Sequence, residues 1–330
     1  MKPVHDPELD LLVSRADLDG LVRLIDAACD SKEWGRLRAI GEAARAAVRT
    51  GRQLWPAATL SDYRTALLAP AEWAAQVISD EAAPFSLGPL TEVVAQHHTW
   101  EELCPHLPHG AARSFVAHER VLRGEAIEDD GTIDPVLDLP LRLEPWEPAY
   151  PLAAYKPNDA VFAAPTLPSQ PIEVPLPPPG ELVGDPDTVE ALRSLVEPWT
   201  AHSNGRIEVA VVEGDHREAI AALGPARARI TTLTAGEAMA WLAWAGSVGG
   251  AHGRRRGAAT GRFGAWWTLA ALAGVIHEWP LPPDDLGDLA RSLQWFWWDA
   301  FEPAQGWQLQ LAVCDPAEGL AWAVSAQDLS

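Results

Sequence analysis

Four arginines fall within nine residues of one glycine-rich stretch, and no acidic residue separates them. They are Arg254, Arg255, Arg256 and Arg262, and they are interspersed with Gly253, Gly257, Gly261 and Gly264. Guanidinium groups bind carboxylates and phosphates, and glycines let backbone N–H groups approach a bound anion closely. The stretch therefore predicts an anion-binding loop in a chain whose net charge is −21.

Two functions are compatible with this Arg/Gly loop, whose predicted binding residues are Arg254, Arg255, Arg256, Gly257 and Arg262. In the first, the loop contacts an acidic or phosphate-bearing partner. In the second, it binds the pyrophosphate of a nucleotide or of coenzyme A in a transferase; the spacing of Arg254, Gly257 and Ala259 fits the loose pattern of acyl-CoA pyrophosphate loops. A surface turn that pairs with acids of the same protein is the simpler interpretation of these residues.

Candidate acid–base residues for a transferase are few. His252 or His277 would act as the general base, and Glu278 follows His277 directly, so in an extended segment their side chains would point apart. The sequence has no Walker phosphate loop, no dinucleotide-binding glycine motif after a strand and no nucleophile elbow. We therefore favour a non-enzymatic protein and predict no cofactor.

Five metal-capable side chains lie within thirteen residues, namely His97, His98, Cys104, His106 and His109. Their spacing matches no closed Cys/His zinc framework. Pro105 and Pro108 also place part of this segment in an irregular loop. We expect surface or hydrogen-bonded imidazoles in a connection between helices, and no metal site.

Tryptophan is unusually frequent, with 16 residues. The most concentrated group comprises Trp266, Trp267, Trp295, Trp297 and Trp298. Neighbouring indoles point to both sides of a strand, so both sides need a covering layer. We favour packing in the core and between domains. The alternative is an exposed aromatic patch that binds a partner or assembles the protein into a homo-oligomer.

Composition and charge narrow the class of protein. Hydrophobic residues make up 48% and charged residues 22%, which is ordinary for a globular protein. No apolar run is long enough to span a membrane, and an acidic chain disfavours general binding to nucleic acids or anionic membranes. The acidic N-terminal segment is unlike a signal peptide, and three widely separated cysteines fit reduced thiols. We expect a cytoplasmic protein.

The chain divides into three predicted regions. Residues 1–126 show helical periodicity throughout, which predicts either a HEAT- or TPR-like array of helix pairs or an irregular helical bundle. Residues 127–203 are acidic and then proline-rich, which predicts a linker. The aromatic residues at 139–162 predict that part of this linker lies along the domains as a strap.

Residues 204–330 predict an α+β domain. Short apolar runs at 207–212, 229–233, 294–299, 307–314 and 320–326 predict strands, with helices between them. Thr234 and Glu237 have the spacing of a capping box, which predicts a helix start. We expect a two-layer sandwich with a mixed or antiparallel sheet and helices on one face.

These observations favour a non-enzymatic intracellular interaction or adaptor protein whose Arg/Gly loop contacts an acidic or phosphate-bearing partner. A transferase and a self-assembling structural protein are the two alternatives. The preferred hypothesis implies a protein partner or a phosphate-bearing ligand.

Overall fold

A computed structural model describes residues 6–78, 86–129, 131–303 and 305–329. The chain forms two compact units. The first comprises Met1–Arg120, Ile127–Val136 and Ala154–Val161, and the second comprises Val121–Ala126, Leu137–Ala153 and Phe162–Ser330. The region predicted as a linker is thus divided between both units. Among the described residues, no helix is long and apolar enough to cross a membrane.

The first unit is helical, as the periodicity predicts. Its α-helices are α1 (Pro7–Arg15), α2 (Leu18–Asp30), α3 (Trp34–Arg49), α4 (Trp55–Leu68), α5 (Ala71–Ala74), α6 (Leu90–Val94), α7 (Trp100–Leu103) and α8 (Ala111–Val121). Side-chain caps fix several starts: Asp17 accepts from the Gly20 N–H at α2, and Thr99 forms a capping box with Glu102 at α7. The helices differ widely in length, so the structure supports a helical unit without a specific repeat type.

The apolar faces of α1 to α4 form the core of this unit, with Leu21, Ile25, Leu37 and Ile40 fully buried. A short hairpin of β1 (Ala154–Lys156) and β2 (Asp159–Val161) belongs to the same unit. Buried polar contacts hold the hairpin. The Tyr155 hydroxyl donates to the fully buried Glu92 carboxylate at 2.6 Å.

The second unit is built on one antiparallel sheet. Its strands are β3 (Ile172–Pro175), β4 (Glu181–Leu182), β5 (Arg206–Glu213), β6 (Arg227–Leu233), β7 (Gln294–Asp299), β8 (Trp307–Asp315) and β9 (Leu320–Asp328), in the order β3-β6-β7-β8-β9-β5-β4. Its α-helices are α9 (Pro186–Leu195), α10 (Glu197–Ala201), α11 (His216–Ala222), α12 (Ala235–Ser247), α13 (Ala258–Leu272) and α14 (Pro283–Ser292). The predicted capping box of Thr234 and Glu237 begins α12.

Both faces of this sheet carry helices, which corrects the prediction of helices on one face. One face packs Trp295 and Trp322 against α9, α12 and α13 through leucines such as Leu242. On the other face α11 buries Ile220 against Phe296 and alanines of β8 and β9. The central strands carry apolar residues on both faces of the sheet. Helices must therefore cover each face to remove this apolar surface from water.

The proline-rich stretch supplies both edge strands of the sheet. It contributes β3 at one edge and β4 at the other. The six Cα–Cα steps from Pro175 to Glu181 span at most about 22 Å. The edges of a flat seven-stranded sheet are about 29 Å apart. The sheet therefore curls, and Leu176 in this connection packs on the core beside α11.

Candidate functional site

Arg262 lies on α13 with its guanidinium fully buried, and not in the predicted Arg/Gly loop. Gly257, with φ +96°, begins this helix. The guanidinium forms hydrogen bonds of 2.7 and 2.6 Å with the Glu147 carboxylate. It also donates to the carbonyls of Pro140 and Arg142, each at 2.9 Å. Through these contacts Arg262 holds residues 137–153 on α13, and because its side chain is fully buried it is inaccessible to an external anion.

The Glu147 carboxylate is the acceptor centre of this buried cluster. It also accepts from the Tyr150 hydroxyl at 2.7 Å and the Trp266 indole at 2.9 Å. Burial alone would raise the pKa of Glu147, but the hydrogen bonds and charge of Arg262 outweigh burial and hold that pKa below its usual value. Burial raises the pKa of Tyr150 well above its ordinary value. The cluster is an ionised, fully paired structural contact.

The three consecutive arginines of the loop also have contacts within the protein. Arg256 donates to carbonyls at the end of α9 at 3.1 and 3.4 Å, and burial lowers its pKa. Arg255 donates to the Ser247 hydroxyl at 3.2 Å and lies 4.7 Å from the ring centre of Phe162. Arg254 is exposed, and it too interacts with another group of the chain. Arg255 and Arg256 thus tie the loop to its surroundings.

The glycines of this region permit close backbone packing. A Cβ on Gly253 would lie 2.1 Å from the Gly249 carbonyl oxygen. A Cβ on Gly261 would lie 2.1 Å from the carbonyl oxygen of Ala243 on α12. Contact of the loop with itself and contact between α12 and α13 therefore account for these two glycines.

The candidate acid–base residues lie on the surface. His252 and Glu278 are exposed. His277 Nε2 is 3.2 Å from the Asp187 carboxylate, but these side chains are 84% and 51% exposed. An exposed pair is screened by water, so His277 lies outside the dry setting in which a general base is activated.

The predicted metal-capable side chains are not arranged as ligands. His98 Nε2 donates to the Ala69 carbonyl at 2.9 Å. His97 lies beside the Gln96 amide, Cys104 is partly buried, and His106 and His109 are exposed. Across the part of the chain that the structure describes, no group of three or more His, Cys, Asp or Glu side chains could hold a metal ion.

Most of the predicted aromatic group belongs to the core. Trp266, Trp295 and Trp298 are at most 2% exposed. Trp267 and Trp297 are partly exposed. An aromatic surface patch made of all five residues is therefore absent; only Trp267 and Trp297 present part of their rings to solvent.

An open groove begins on the sheet face that carries α11 and continues to the end of β6 and the start of β7. Two adjoining pockets of about 330 and 500 Å³ meet at Thr232 and Phe296, which are paired across β6 and β7. We call them together the β6–β7 groove. Ile230, Val174 and Phe296 supply apolar surface, and His216 and Arg217 of α11 line one part. Volumes of this size suit a small ligand or a few side chains of a partner.

No acidic side chain lines the β6–β7 groove among the described residues. Its polar lining consists of hydroxyl, amide, imidazole and guanidinium groups, from Ser169, Gln170, Thr231, Thr232, Thr234, His216, Arg217, Arg291 and Gln294. The nearest acids along α11 are engaged in its capping box, where Asp215 accepts from the Arg217 and Glu218 N–H groups. In a chain with 46 acids and 25 bases, such a surface is locally suited to an anion.

Arg217 and His216 form the polar wall of the groove. Arg217 donates one N–H to the Pro175 carbonyl at 2.9 Å, and its Nε is buried without a hydrogen-bond partner. The His216 ring stacks on Phe296, with ring centres 3.6 Å apart and planes 8° apart. Burial lowers the pKa of His216; Asp215 acts in the opposite direction, and Arg217 lowers it further. The imidazole is therefore neutral at pH 7, and Arg217 is the cation of this wall.

Sequence analysis did not identify this groove. The segment from Gly214 to His216 forms the turn into α11. Phe296 and Thr232 lie on strands that pair only in the fold. The one signal in the sequence is a run without acids from residue 219 to residue 236. That run contains β6, whose residues line both pockets.

A comparison with protein families gives a match over most of the chain. The model of a family described as a family of unknown function (DUF6183) matches residues 19–329. No curated protein and no solved structure matches the chain.

Proposed function

The chain belongs to the DUF6183 family, and we propose that it is a non-enzymatic interaction protein that binds an acidic segment of a partner in the β6–β7 groove. The observation that carries this proposal is the absence of acidic side chains from the lining of the groove, as far as the chain is described. The proposal keeps the acidic partner expected from the sequence. It moves the binding site from the Arg/Gly loop to the sheet.

The chemistry of the groove favours a segment with both acidic and apolar side chains. Ile230 and Phe296 form an apolar floor, which would bury side chains of the partner. Arg217 is the cation at this part of the lining, so a carboxylate of the partner could accept a charge-assisted hydrogen bond from its guanidinium. Thr232 is exposed and supplies a hydroxyl beside the floor.

An eight-residue fluorescent peptide in which glutamate alternates with valine tests this proposal by fluorescence anisotropy. Arg217→Gln removes the charged donor of the groove and should weaken binding about tenfold to a hundredfold, the effect of one charge-assisted hydrogen bond. A urea titration of the variant checks that the fold is retained.

Arg206→Gln is the matched control. Arg206 is exposed on β5, at the end away from α11, and its replacement changes the net charge by the same amount. Equal weakening by both replacements would mean that net charge attracts the peptide and would refute a site in the groove. No binding of the glutamate peptide to the unaltered protein would refute it as well.

A further inference from the structure

The two edges of the sheet differ in the backbone groups that they present. Leu182 pairs with Val212, and the Val183 N–H donates to the Val211 carbonyl at 2.9 Å. Because donors alternate in direction along an antiparallel strand, the N–H and C=O of Leu182 point away from β5. The outer edge of β4 therefore has a free donor and a free acceptor at Leu182.

The opposite edge is closed by proline. The Leu176 N–H donates to the Ala226 carbonyl at 3.0 Å, so residues 172 and 174 of β3 also direct their N–H groups towards β6. The positions that face outwards are Pro171, Glu173 and Pro175, and two of these have no N–H. Prolines at these positions prevent another strand from pairing with β3. The outer edge of β4 has no such prolines and can accept another strand.

The side chains at the β4 edge indicate which kind of strand could pair with it. Leu182 is 72% exposed. Glu181 and Glu213 are directly opposite each other across β4 and β5, both are exposed, and neither has a cationic partner among the described residues. Like charges in opposite positions repel, so a cation placed beside them would stabilise the pair.

We propose that the outer edge of β4 accepts an extended segment of a partner protein in which basic and apolar residues alternate. An apolar side chain of the added strand would pack beside Leu182 on one face of the sheet. Its neighbours along the strand point to the other face, where Glu181 and Glu213 would receive basic side chains. A second copy of this chain fits poorly, because each copy carries net charge −21.

The test uses an eight-residue fluorescent peptide in which lysine alternates with valine, and the full chain. Leu182→Pro removes the outward N–H together with the leucine side chain, and leaves the hydrogen bonds between β4 and β5 in place. It should weaken binding at least about tenfold. The matched control is Glu173→Pro, which removes the outward N–H of the other edge and should change the affinity by less than about twofold.

A second measurement tests the proposal even if the Leu182→Pro variant does not fold. A peptide with the same side chains but N-methylated at alternate residues cannot donate to the edge and should bind the unaltered protein at least about tenfold more weakly. Equal affinity of the two peptides, equal affinity for Leu182→Pro, or no binding of the lysine peptide up to about 1 mM would overturn the proposal.

This inference is independent of the groove. Leu182→Pro should leave binding of the glutamate peptide unchanged, and Arg217→Gln should leave binding of the lysine peptide unchanged. The experiments therefore distinguish a wrong proposal for the β4 edge from a wrong proposal for the β6–β7 groove. Loss of lysine-peptide binding in Arg217→Gln would place that peptide in the groove and overturn the β4 proposal.

Discussion

Arg262 and Glu147 lie 115 residues apart in the sequence and form a fully buried pair with two hydrogen bonds. The pair joins α13 to the segment of residues 137–153. The Tyr150 hydroxyl, the Trp266 indole and the Glu144 N–H also donate to the carboxylate. One of the four arginines predicted to bind an anion is thus a structural residue of the second unit.

Replacement of one partner of this pair should destabilise the protein strongly. Glu147→Gln or Arg262→Met leaves one buried charge uncompensated, which costs about 3–5 kcal/mol in the free energy of unfolding. Urea denaturation measures that change. Arg291→Gln is the control: its pair with Asp288 is exposed, so its loss should cost at most about 1 kcal/mol.

The double variant Glu147→Gln with Arg262→Met sharpens this test. Because both charges are removed, its loss of stability should be smaller than the sum of the two single losses. Additive losses would show that the two side chains do not interact in the folded protein.

Titration of His216 should contribute to the pH dependence of stability. Its pKa is lowered in the folded protein, chiefly by burial, from an ordinary value of 6.5. As the pH falls below about 6.5, the unfolded chain binds the proton first, so the free energy of unfolding falls. The His216→Gln variant should show a flatter decline between about pH 7 and pH 5 in urea titrations. An unchanged slope would mean that the imidazole is not desolvated as described.

Two glycine-to-alanine replacements in helices should have opposite effects. At Gly261 a Cβ would lie 2.1 Å from the Ala243 carbonyl oxygen, so alanine must push α12 and α13 apart. At Gly35 in α3 the nearest atom is 3.6 Å away, on the Trp73 ring, so alanine fits. We expect Gly35→Ala to stabilise by up to about 1 kcal/mol and Gly261→Ala to destabilise by about 1–3 kcal/mol.

Thermal or urea unfolding of the two glycine variants distinguishes these outcomes. Equal effects of the same sign would show that helix propensity alone governs both positions and that α12 and α13 are not in close backbone contact at Gly261.

Local signals in the sequence predicted much of the fold. The capping box of Thr234 and Glu237 and the apolar runs of β5 to β9 depend on neighbouring residues, so the sequence reveals them. Local signals did not predict the edge strands that contain Pro175 and Glu181. Proline argues against a strand, yet it is tolerated at a sheet edge, and only the assembled sheet shows that both edges come from this segment.

The candidate site was harder to predict. The role of Arg262 depends on Glu147, which is remote in the sequence, so a cluster of arginines looked like a ligand site. The β6–β7 groove arises where Thr232 and Phe296 pair across two strands that are far apart along the chain. Long-range pairing of this kind leaves no spacing motif in a single sequence.

The central claim is that the β6–β7 groove binds an acidic segment, and occluding the groove without changing its charge tests this most directly. Thr232 is exposed at the junction of the two pockets, so Thr232→Trp should fill them while the strand tolerates the aromatic side chain. Thr232→Val leaves the groove open and is the control. The account predicts that Thr232→Trp weakens binding of the glutamate peptide at least about tenfold. The affinity of Thr232→Val should stay within about threefold of that of the unaltered protein. Unchanged affinity in the folded Thr232→Trp variant would contradict it.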